Sequence, residues 1–395
     1  MRRGSVYVHF PYCLAKCPYC DFVSYATPRD AIDHQGYADA VIRELAARTA
    51  AWPEELSIGS VFFGGGTPSL WEPSALGRVL LAIKGSFECD ADLEVTVECN
   101  PSSLDRERAV RLREQGVGRL SIGVQALDDA QLVFLGRLHD AEGGLTAVRD
   151  ALASSMPRVS ADLIFGLPEQ APDDAEAQAG RLADLGLSHL SCYQLTIEPG
   201  TPFGALARKG RLPLADDGRV AECFVAVEQA LGKRGLAHYE ISNYARPGEE
   251  ARHNLGYWSG QEYVGVGTAA CGFARSEGKT ARGVRYKNTA DPARYVDATR
   301  QMGACIGEGD GVAATSEDLD GETLMRERIM LGLRLASGFD IARSATDLGV
   351  EAWPEERSLA ARRLSAQGRL AVDGDVLRIP MESWLWADDT AARLF

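Results

Sequence analysis

Residues 5–22 read SVYVHFPYCLAKCPYCDF, an apolar run followed at once by three cysteines with the spacing CxxxCxxC. The apolar run is typical of a buried β-strand. Thiolates are soft ligands that suit zinc or iron–sulfur clusters. Structural zinc needs four protein ligands, and the sequence has no CxxC or HxxxH partner pair elsewhere. Three buried cysteines in a loop, or half of a zinc site, are the alternatives. The position directly after a strand instead favours Cys13, Cys17 and Cys20 as ligands of a [4Fe–4S] cluster whose fourth iron is open to a small chelating molecule.

Strand-like and helix-like segments alternate from this stretch through the first two-thirds of the chain. The strand-like runs are Ser5–Phe10, Ser60–Phe63, Leu93–Glu98, Arg119–Val124, Val159–Phe165 and Leu190–Ile197. The helical patterns between them are Tyr37–Ala51, Ser74–Gly85, Leu104–Gln115, Ala141–Ala153 and Asp173–Leu185. Such repeats predict an α/β fold with a parallel sheet and helices outside it. Right-handed crossovers would curl the sheet, and six units rather than eight predict an incomplete (β/α)6 barrel.

The composition changes after about residue 305. Gly307–Asp318 is a polar, Gly-rich stretch that we interpret as a linker. Helical patterns at Gly321–Leu335 and Trp353–Gln367 follow, and then two short strand-like runs joined by an Asp-Gly turn. Helices followed by such a hairpin predict a small winged-helix-like domain. We therefore divide the chain into a barrel domain, 1–305, and a C-terminal domain, 306–395.

Charge and cysteine content restrict the class of protein. The 395 residues carry a net charge of −14, which argues against broad binding to nucleic-acid phosphates. The nine cysteines are an odd number and cluster only once, unlike a secreted disulfide framework. We expect no secretory signal, because the first residues lead directly into a strand-like stretch, and no apolar run is long enough to span a bilayer. We expect a cytoplasmic protein, with peripheral membrane association left open.

The cysteine spacing, with the aromatic Tyr19 before the last cysteine, resembles the radical S-adenosylmethionine (radical SAM) superfamily. The resemblance implies that the three cysteines hold a [4Fe–4S] cluster and that SAM occupies the open iron. Polar residues that follow parallel strands meet at one edge of the sheet. The residues that we expect around SAM are Tyr7, Tyr19, Gly65, Gly66, Thr67, Glu98, Gln125, Arg137 and Asp162.

Each of these residues suits one part of the SAM molecule. The glycines before Thr67 let the backbone approach the ligand, and the resemblance implies that this loop binds the methionine amino group. The Glu98 carboxylate would meet that ammonium, and Gln125 offers both a donor and an acceptor. Arg137 could clamp the ligand carboxylate, and Asp162 could accept from ribose hydroxyls.

Four further segments narrow the resemblance: His9–Cys13, Tyr193–Thr201, Tyr239–Ala245 and Arg252–Trp258. They resemble the branch of the superfamily related to oxygen-independent coproporphyrinogen III oxidase, and within it the HemW-type heme chaperones. The heme chaperones share an HNxxYW motif, present here as His253, Asn254, Tyr257 and Trp258. Imidazole is a common heme ligand, and aromatic rings can stack on a porphyrin; the alternative is a core histidine with two packing aromatics. Relatives usually have histidine at the position of Cys271, which could still ligate iron.

The resemblance leaves more than one function open. The first hypothesis is a chaperone that binds heme and delivers it to an acceptor hemoprotein, for example a membrane-bound respiratory enzyme, without decarboxylating coproporphyrinogen. The second is the oxidase itself. The oxidases carry a fourth cysteine where this chain has Phe22, and they have an extension before the cluster, so both features count against this hypothesis. The third is a radical enzyme that acts on another tetrapyrrole. A homodimer is an assembly that the sequence leaves open.

Overall fold

The computed structural model describes residues 2–53, 55–276, 282–307 and 309–395. The strands are β1 (Arg2–Phe10), β2 (Tyr12–Cys13), β3 (Tyr25–Ala26), β4 (Leu56–Gly65), β5 (Glu88–Cys99), β6 (Arg119–Gln125), β7 (Arg158–Phe165), β8 (His189–Gln194), β9 (Ala237–Glu240), β10 (Asn243–Ala245), β11 (Glu262–Gly267), β12 (Cys271–Ser276), β13 (Arg282–Asn288), β14 (Ala313–Leu319), β15 (Phe339–Asp340), β16 (Ala371–Asp373) and β17 (Val376–Arg378). The α-helices are α1 (His34–Ala51), α2 (Pro73–Ser86), α3 (Arg106–Glu114), α4 (Asp129–Phe134), α5 (Ala141–Ala153), α6 (Pro172–Ala183), α7 (Pro202–Ala207), α8 (Asp217–Gly232), α9 (Arg252–Trp258), α10 (Pro292–Ala298), α11 (Gly321–Gly332), α12 (Ile341–Leu348), α13 (Glu355–Ala366) and α14 (Ala387–Ala392).

One large curved sheet organises the barrel. Its strand order is β14-β13-β12-β11-β1-β4-β5-β6-β7-β8-β10-β9, and the six strands from β1 through β4 to β8 are parallel. Each predicted strand and each predicted helix of the first two hundred residues coincides with one of these elements, so the predicted α/β class and the incomplete (β/α)6 barrel are confirmed. Asp side chains cap the N-termini of α1, α3 and α5 and fix where these helices begin.

The sequence did not predict how the sheet continues on the other side of β1. There β11 adds in parallel to β1, and β12, β13 and β14 follow as an antiparallel meander. The interpretation of Gly307–Asp318 as a linker is wrong over its second half, because Ala313–Leu319 forms the edge strand β14. Its side chains are mostly exposed on both faces, so the apolar alternation that marks a strand is missing.

The second edge of the sheet is β9, and the chain's C-terminal part covers it. The backbone N–H of Ile241 donates to the Arg334 carbonyl, and the N–H of Ala336 donates to the Tyr239 carbonyl, both at 3.0 Å. An antiparallel bridge between Glu240 and Leu335 lies between these two bonds.

The C-terminal part has its own apolar core. Buried side chains of α11, α12 and α13 pack with Leu377 on the β16–β17 hairpin and with Trp384 after it. The two predicted helices correspond to α11 and α13, and the Asp-Gly turn joins β16 to β17 as predicted. None of the helices in the described part of the chain is both long enough and apolar enough to cross a bilayer.

A buried ion cluster ties α1 to the β11 end of the sheet. The Arg48 side chain is fully buried, and its Nη1 lies 2.5 Å from Asp310 Oδ2 and its Nη2 2.9 Å from Asn288 Oδ1. Its Nε donates to Glu44 Oε1 at 3.2 Å, and Glu44 Oε2 accepts from the Gly267 N–H at 2.8 Å. Buried charges are tolerated when they are paired and hydrogen-bonded, as they are here.

Candidate functional site

The three predicted cysteine ligands lie in one loop above the carboxyl ends of the parallel strands. Thr67 Oγ1 donates to Cys13 Sγ at 3.2 Å, and Arg137 Nη1 donates to Cys17 Sγ at 3.4 Å. The Cys20 N–H donates to the Cys17 carbonyl at 3.2 Å and closes the turn between them. Side chains from outside the cysteine loop therefore donate to the sulfurs of Cys13 and Cys17, an arrangement that stabilises thiolates.

The surroundings of the cysteines agree with a polynuclear cluster. Burial raises the pKa of Cys13 and raises that of Cys20 to about 11, so bound iron would have to displace protons from these thiols. Cys13, Cys17 and Cys20 border one cavity of about 460 Å³, and three soft thiolate donors around one cavity suit an iron–sulfur cluster.

The Gly-rich loop after β4 forms a second wall of this cavity. A Cβ on Gly66 would lie 2.7 Å from the Tyr12 carbonyl oxygen and 2.9 Å from the Phe10 carbonyl oxygen, so only glycine fits there. The Gly65 N–H donates to Glu98 Oε2 at 3.1 Å, and the φ of Gly65 is +109°. The loop thus passes close to the cysteine segment, and the N–H groups of Gly66 and Thr67 donate to the carbonyls of Phe10 and Tyr12 at 2.7 and 2.9 Å.

Two carboxyls occupy the floor of the cavity. Burial raises the pKa of Glu98 to about 8, and the nearby Asp162 adds to the shift. Burial also raises the pKa of Asp162, whose Oδ1 accepts from Ser121 Oγ at 3.0 Å. A carboxyl with a raised pKa lacks a cation, and an ammonium group bound here would supply one.

Two further predicted residues complete the rim. Gln125 ends β6 with φ at +71°, an uncommon backbone conformation for a residue other than glycine. Strain of this kind tends to occur at functional sites. Arg137 Nη2 donates to the Gly123 carbonyl at 2.7 Å. Burial opposes the positive charge of Arg137, but Tyr19 and Cys17 outweigh it, and the pKa of Arg137 is raised.

The structure therefore brings nearly all the residues predicted for cluster and SAM to one place. The residues that line this first cavity are Cys13, Cys17, Tyr19, Cys20, Gly65, Gly66, Thr67, Glu98, Gln125, Arg137 and Asp162. Tyr7 is the exception, because it lines a second cavity instead. Sequence reasoning missed Asn100, Tyr193 and Glu198, which also line the first cavity. Asn100 directly follows β5, so the rule that located Glu98 could have found it.

The second cavity, of about 600 Å³, lies between the sheet face of β1 and β11–β13 and the helix α11. Alternate residues of β12, namely Cys271, Phe273 and Arg275, face it. From α11 it receives Leu324, Glu327, Arg328 and Leu331, whose spacing defines one face of a helix. This strand alternation and helix spacing were visible in the sequence, but only the sheet topology places them opposite each other.

The HNxxYW motif lies on α9. Its two aromatic side chains line the second cavity, and its histidine is buried in the core. Tyr257 and Trp258 line the cavity, and Asn254 is half-buried on the same helix. The His253 ring is 1% exposed. Its Nδ1 lies 3.0 Å from Ser60 Oγ and its Nε2 lies 3.0 Å from the Tyr257 hydroxyl. Burial lowers the pKa of His253 to about 3, so the ring is neutral.

The two cavities adjoin at the end of the cysteine loop. Asp21 and Phe22 border both of them, and the Phe22 side chain is 59% exposed. A ligand in either cavity would therefore contact the segment that directly follows Cys20.

Five cysteines outside the cluster carry no ligand pattern in the sequence, which predicts that they are buried small apolar residues: Cys89, Cys99, Cys192, Cys223 and Cys305. The prediction is confirmed for Cys99, Cys192 and Cys223, which are buried. Cys89 and Cys305 are only half-buried, so the interpretation is wrong for these two.

Comparison with known proteins agrees with this geometry. Residues 7–179 match the family described as the Radical SAM superfamily, and residues 319–386 match the HemN C-terminal domain. The heme chaperone HemW of Mycobacterium tuberculosis is 34% identical over 97% of this chain and 93% of its own length. The heme chaperone HemW of Escherichia coli is 35% identical over 76% of this chain and 79% of its own length.

A solved structure shows the same architecture. Coproporphyrinogen III oxidase (HemN) from Escherichia coli, a radical SAM enzyme, matches with a TM-score of 0.80 at 20% identity, covering 100% of this chain and 90% of that one. At this identity the likeness shows the fold alone. It confirms the incomplete barrel that the strand–helix repeats predicted.

Proposed function

This chain belongs to the HemW family of the radical SAM superfamily, and from that premise we propose that it is a heme chaperone. In this proposal it binds heme beside a [4Fe–4S] cluster with SAM and passes the heme to an acceptor hemoprotein. The observation that carries the proposal is the second cavity, which has aromatic walls and adjoins the cysteine loop at Phe22. Planar, largely apolar ligands are held in cavities of this kind by aromatic rings and a few charged groups.

The first cavity would hold the cluster and SAM. Cys13, Cys17 and Cys20 would ligate three irons, and SAM would chelate the fourth. The raised pKa of Glu98 supports a role as partner of the SAM ammonium, which would draw off its proton. Arg137, already hydrogen-bonded to Cys17 Sγ, would receive the SAM carboxylate. A bound cluster would supply the open iron and a one-electron donor.

For the HNxxYW motif we propose unequal roles. Tyr257 and Trp258 would form the wall on which the porphyrin packs. His253 could ligate heme iron only if the Tyr257 hydroxyl left its Nε2. Asn254, which is half-buried on α9, would contact the heme beside these residues.

The oxidase is the competing function. Its fourth cysteine is replaced here by Phe22, which contacts both cavities. One anaerobic preparation with reconstituted cluster decides between the two. Hemin titration should give a Soret band that saturates at about one heme per chain, and incubation with coproporphyrinogen III, SAM and reductant should release no protoporphyrinogen IX.

The outcomes separate the hypotheses. Release of protoporphyrinogen IX would identify an oxidase, and a failure to saturate with hemin would end the chaperone proposal. Cys17→Ala should lose the iron and sulfide, about four of each per chain in the wild type. Cys89→Ala, a half-buried cysteine outside the site, is the matched control and should keep them.

We further propose that heme delivery takes place in the cytoplasm, to an acceptor that can be membrane-bound. The net charge of −14 disfavours an anionic lipid surface as the contact and favours direct protein contact. Co-purification of heme-loaded chain with membranes, compared with the heme-free chain, tests this step, and equal recovery of both would contradict it.

A further inference from the structure

The second cavity is lined by more basic than acidic side chains. Arg275, Arg285, Lys287 and Arg328 line it, against the acidic Asp21 and Glu327. Arg285 is paired, because its two terminal nitrogens reach Glu317 and Glu327. In a chain with a net charge of −14, a cavity with more cations than acids needs a specific explanation.

Arg328 and Lys287 line the cavity without the ion pairs that Arg285 makes. Within the described part of the chain, neither Arg328 nor Lys287 makes a salt bridge. Burial lowers the pKa of Arg328 and the like charge of Arg275 lowers it further, and the opposing charge of Asp347 does not offset them. A guanidinium in such a place is stabilised by an anion that enters the cavity. Arg328 belongs to the α11 wall and Lys287 to the sheet wall, so the cavity offers a cation on each of two sides.

A thiol lies on the sheet wall beside Lys287. Cys271 and Lys287 are directly opposite each other in the β12–β13 ladder, and Phe273 is opposite Arg285. Because side chains alternate along a strand, Cys271, Phe273 and Arg275 form one row on the sheet wall of the cavity. Within the described residues, no hydrogen bond uses the Cys271 sulfur. The sheet wall therefore combines a thiol that makes no hydrogen bond, an aromatic ring and flanking cations.

We propose that this cavity is the heme site and that the Cys271 thiolate is the axial ligand of the iron, with Arg328 and Lys287 pairing with the two propionates. The inference rests on the proposed heme-chaperone function and names its ligand set. On binding, the thiol releases its proton to solvent and the sulfur donates an electron pair to ferric iron, with no change of oxidation state. Thiolate ligation of heme iron is established chemistry.

The nearby histidines are less available than Cys271. Both ring nitrogens of His253 are engaged, and so are those of His9, whose Nε2 lies 2.8 Å from the Val23 carbonyl and whose Nδ1 lies 3.1 Å from the Tyr7 hydroxyl. Burial raises the pKa of the Cys271 thiol, but Lys287 and Arg285 act against burial and favour the thiolate. A strongly binding metal then completes the deprotonation.

Heme spectroscopy tests the ligand. The wild type and the Cys271→Ala, Cys271→Ser, His253→Ala and Cys89→Ala variants are loaded with hemin, reduced and exposed to CO. The wild type and Cys89→Ala should show the red-shifted Soret band of a thiolate-bound ferrous carbonyl heme or, in the ferric state, the low-spin EPR signal of a thiolate complex. Both Cys271 variants should lose these signals, and His253→Ala should keep them.

The outcomes are distinct from those of the chaperone proposal. If the wild type binds hemin and both Cys271 variants keep its spectra, or if His253→Ala alone changes them, the thiolate assignment is wrong while the chaperone proposal stands. If the wild type does not bind hemin, the chaperone proposal falls first.

The propionate partners are tested with heme and its dimethyl ester, which lacks both negative charges. Arg328→Gln should weaken hemin binding about tenfold and Lys287→Gln, which is exposed, about threefold. Neither variant should change the affinity for the dimethyl ester. Equal losses for both ligands, or no loss for hemin, would overturn the assignment of these cations.

Discussion

The raised pKa of Glu98 predicts that this residue makes the protein less stable as the pH rises. The pKa of its carboxyl is about 8 in the folded chain, against an ordinary value of 4.5. Between these values the folded chain holds one proton more than the unfolded chain at this position. The free energy of unfolding is therefore highest below the unfolded pKa and falls by about 1.4 kcal/mol per pH unit until the folded pKa is reached.

The Glu98→Gln variant removes this titration while keeping a hydrogen-bond acceptor for the Gly65 N–H. Between about pH 6 and pH 7.5, the wild type should lose about 2 kcal/mol more of its unfolding free energy than the variant does. For a chain of this size that is about 2 °C in Tm. Thermal unfolding of cluster-free protein at the two pH values, wild type beside variant, measures the difference.

SAM binding gives a second test of the Glu98 carboxyl. SAM bound to the cluster-loaded wild type would place an ammonium beside Glu98, lower its pKa and remove much of the pH dependence. Glu98→Gln should bind SAM more weakly, and the loss should grow as the pH rises toward 8. If wild type and variant show the same pH dependence of stability, the carboxyl titrates normally and the reasoning fails.

Two further predictions concern other parts of the molecule. Arg48→Met should lower the free energy of unfolding by about 3–5 kcal/mol, because Glu44 and Asp310 would remain buried without their cation; Arg300→Met, which breaks an exposed pair, should cost less than about 1 kcal/mol in the same denaturant titration. Gln125→Gly should stabilise the chain by about 1 kcal/mol by relieving a positive φ, and should weaken SAM binding measured by calorimetry; unchanged SAM affinity would remove Gln125 from the ligand set.

The sequence predicted the elements with strong local patterns. The cysteine spacing and the parallel strands predicted the site in the first cavity. Parallel strands place their carboxyl ends at the same edge of the sheet, so residues that follow different strands come together there. The second cavity escaped prediction because β11 joins β1 across more than 250 residues, a pairing that no local pattern encodes. Tyr7 was predicted among the SAM residues, but its side chain lines the second cavity. The division at residues 305 and 306 stays a prediction.

An incomplete barrel differs from a closed one in having two unpaired margins, and here each is protected differently. β14 carries Glu317 and Asp318 along its length, and charged side chains on a margin disfavour pairing with another molecule. β9 is instead shielded by residues 334–336, which belong to the same C-terminal segment whose α11 closes the second cavity. Removing that segment would both open the second cavity and expose the unpaired backbone groups of the edge strand β9. A truncated chain that lost heme and precipitated would therefore reveal nothing about which of the two roles had failed.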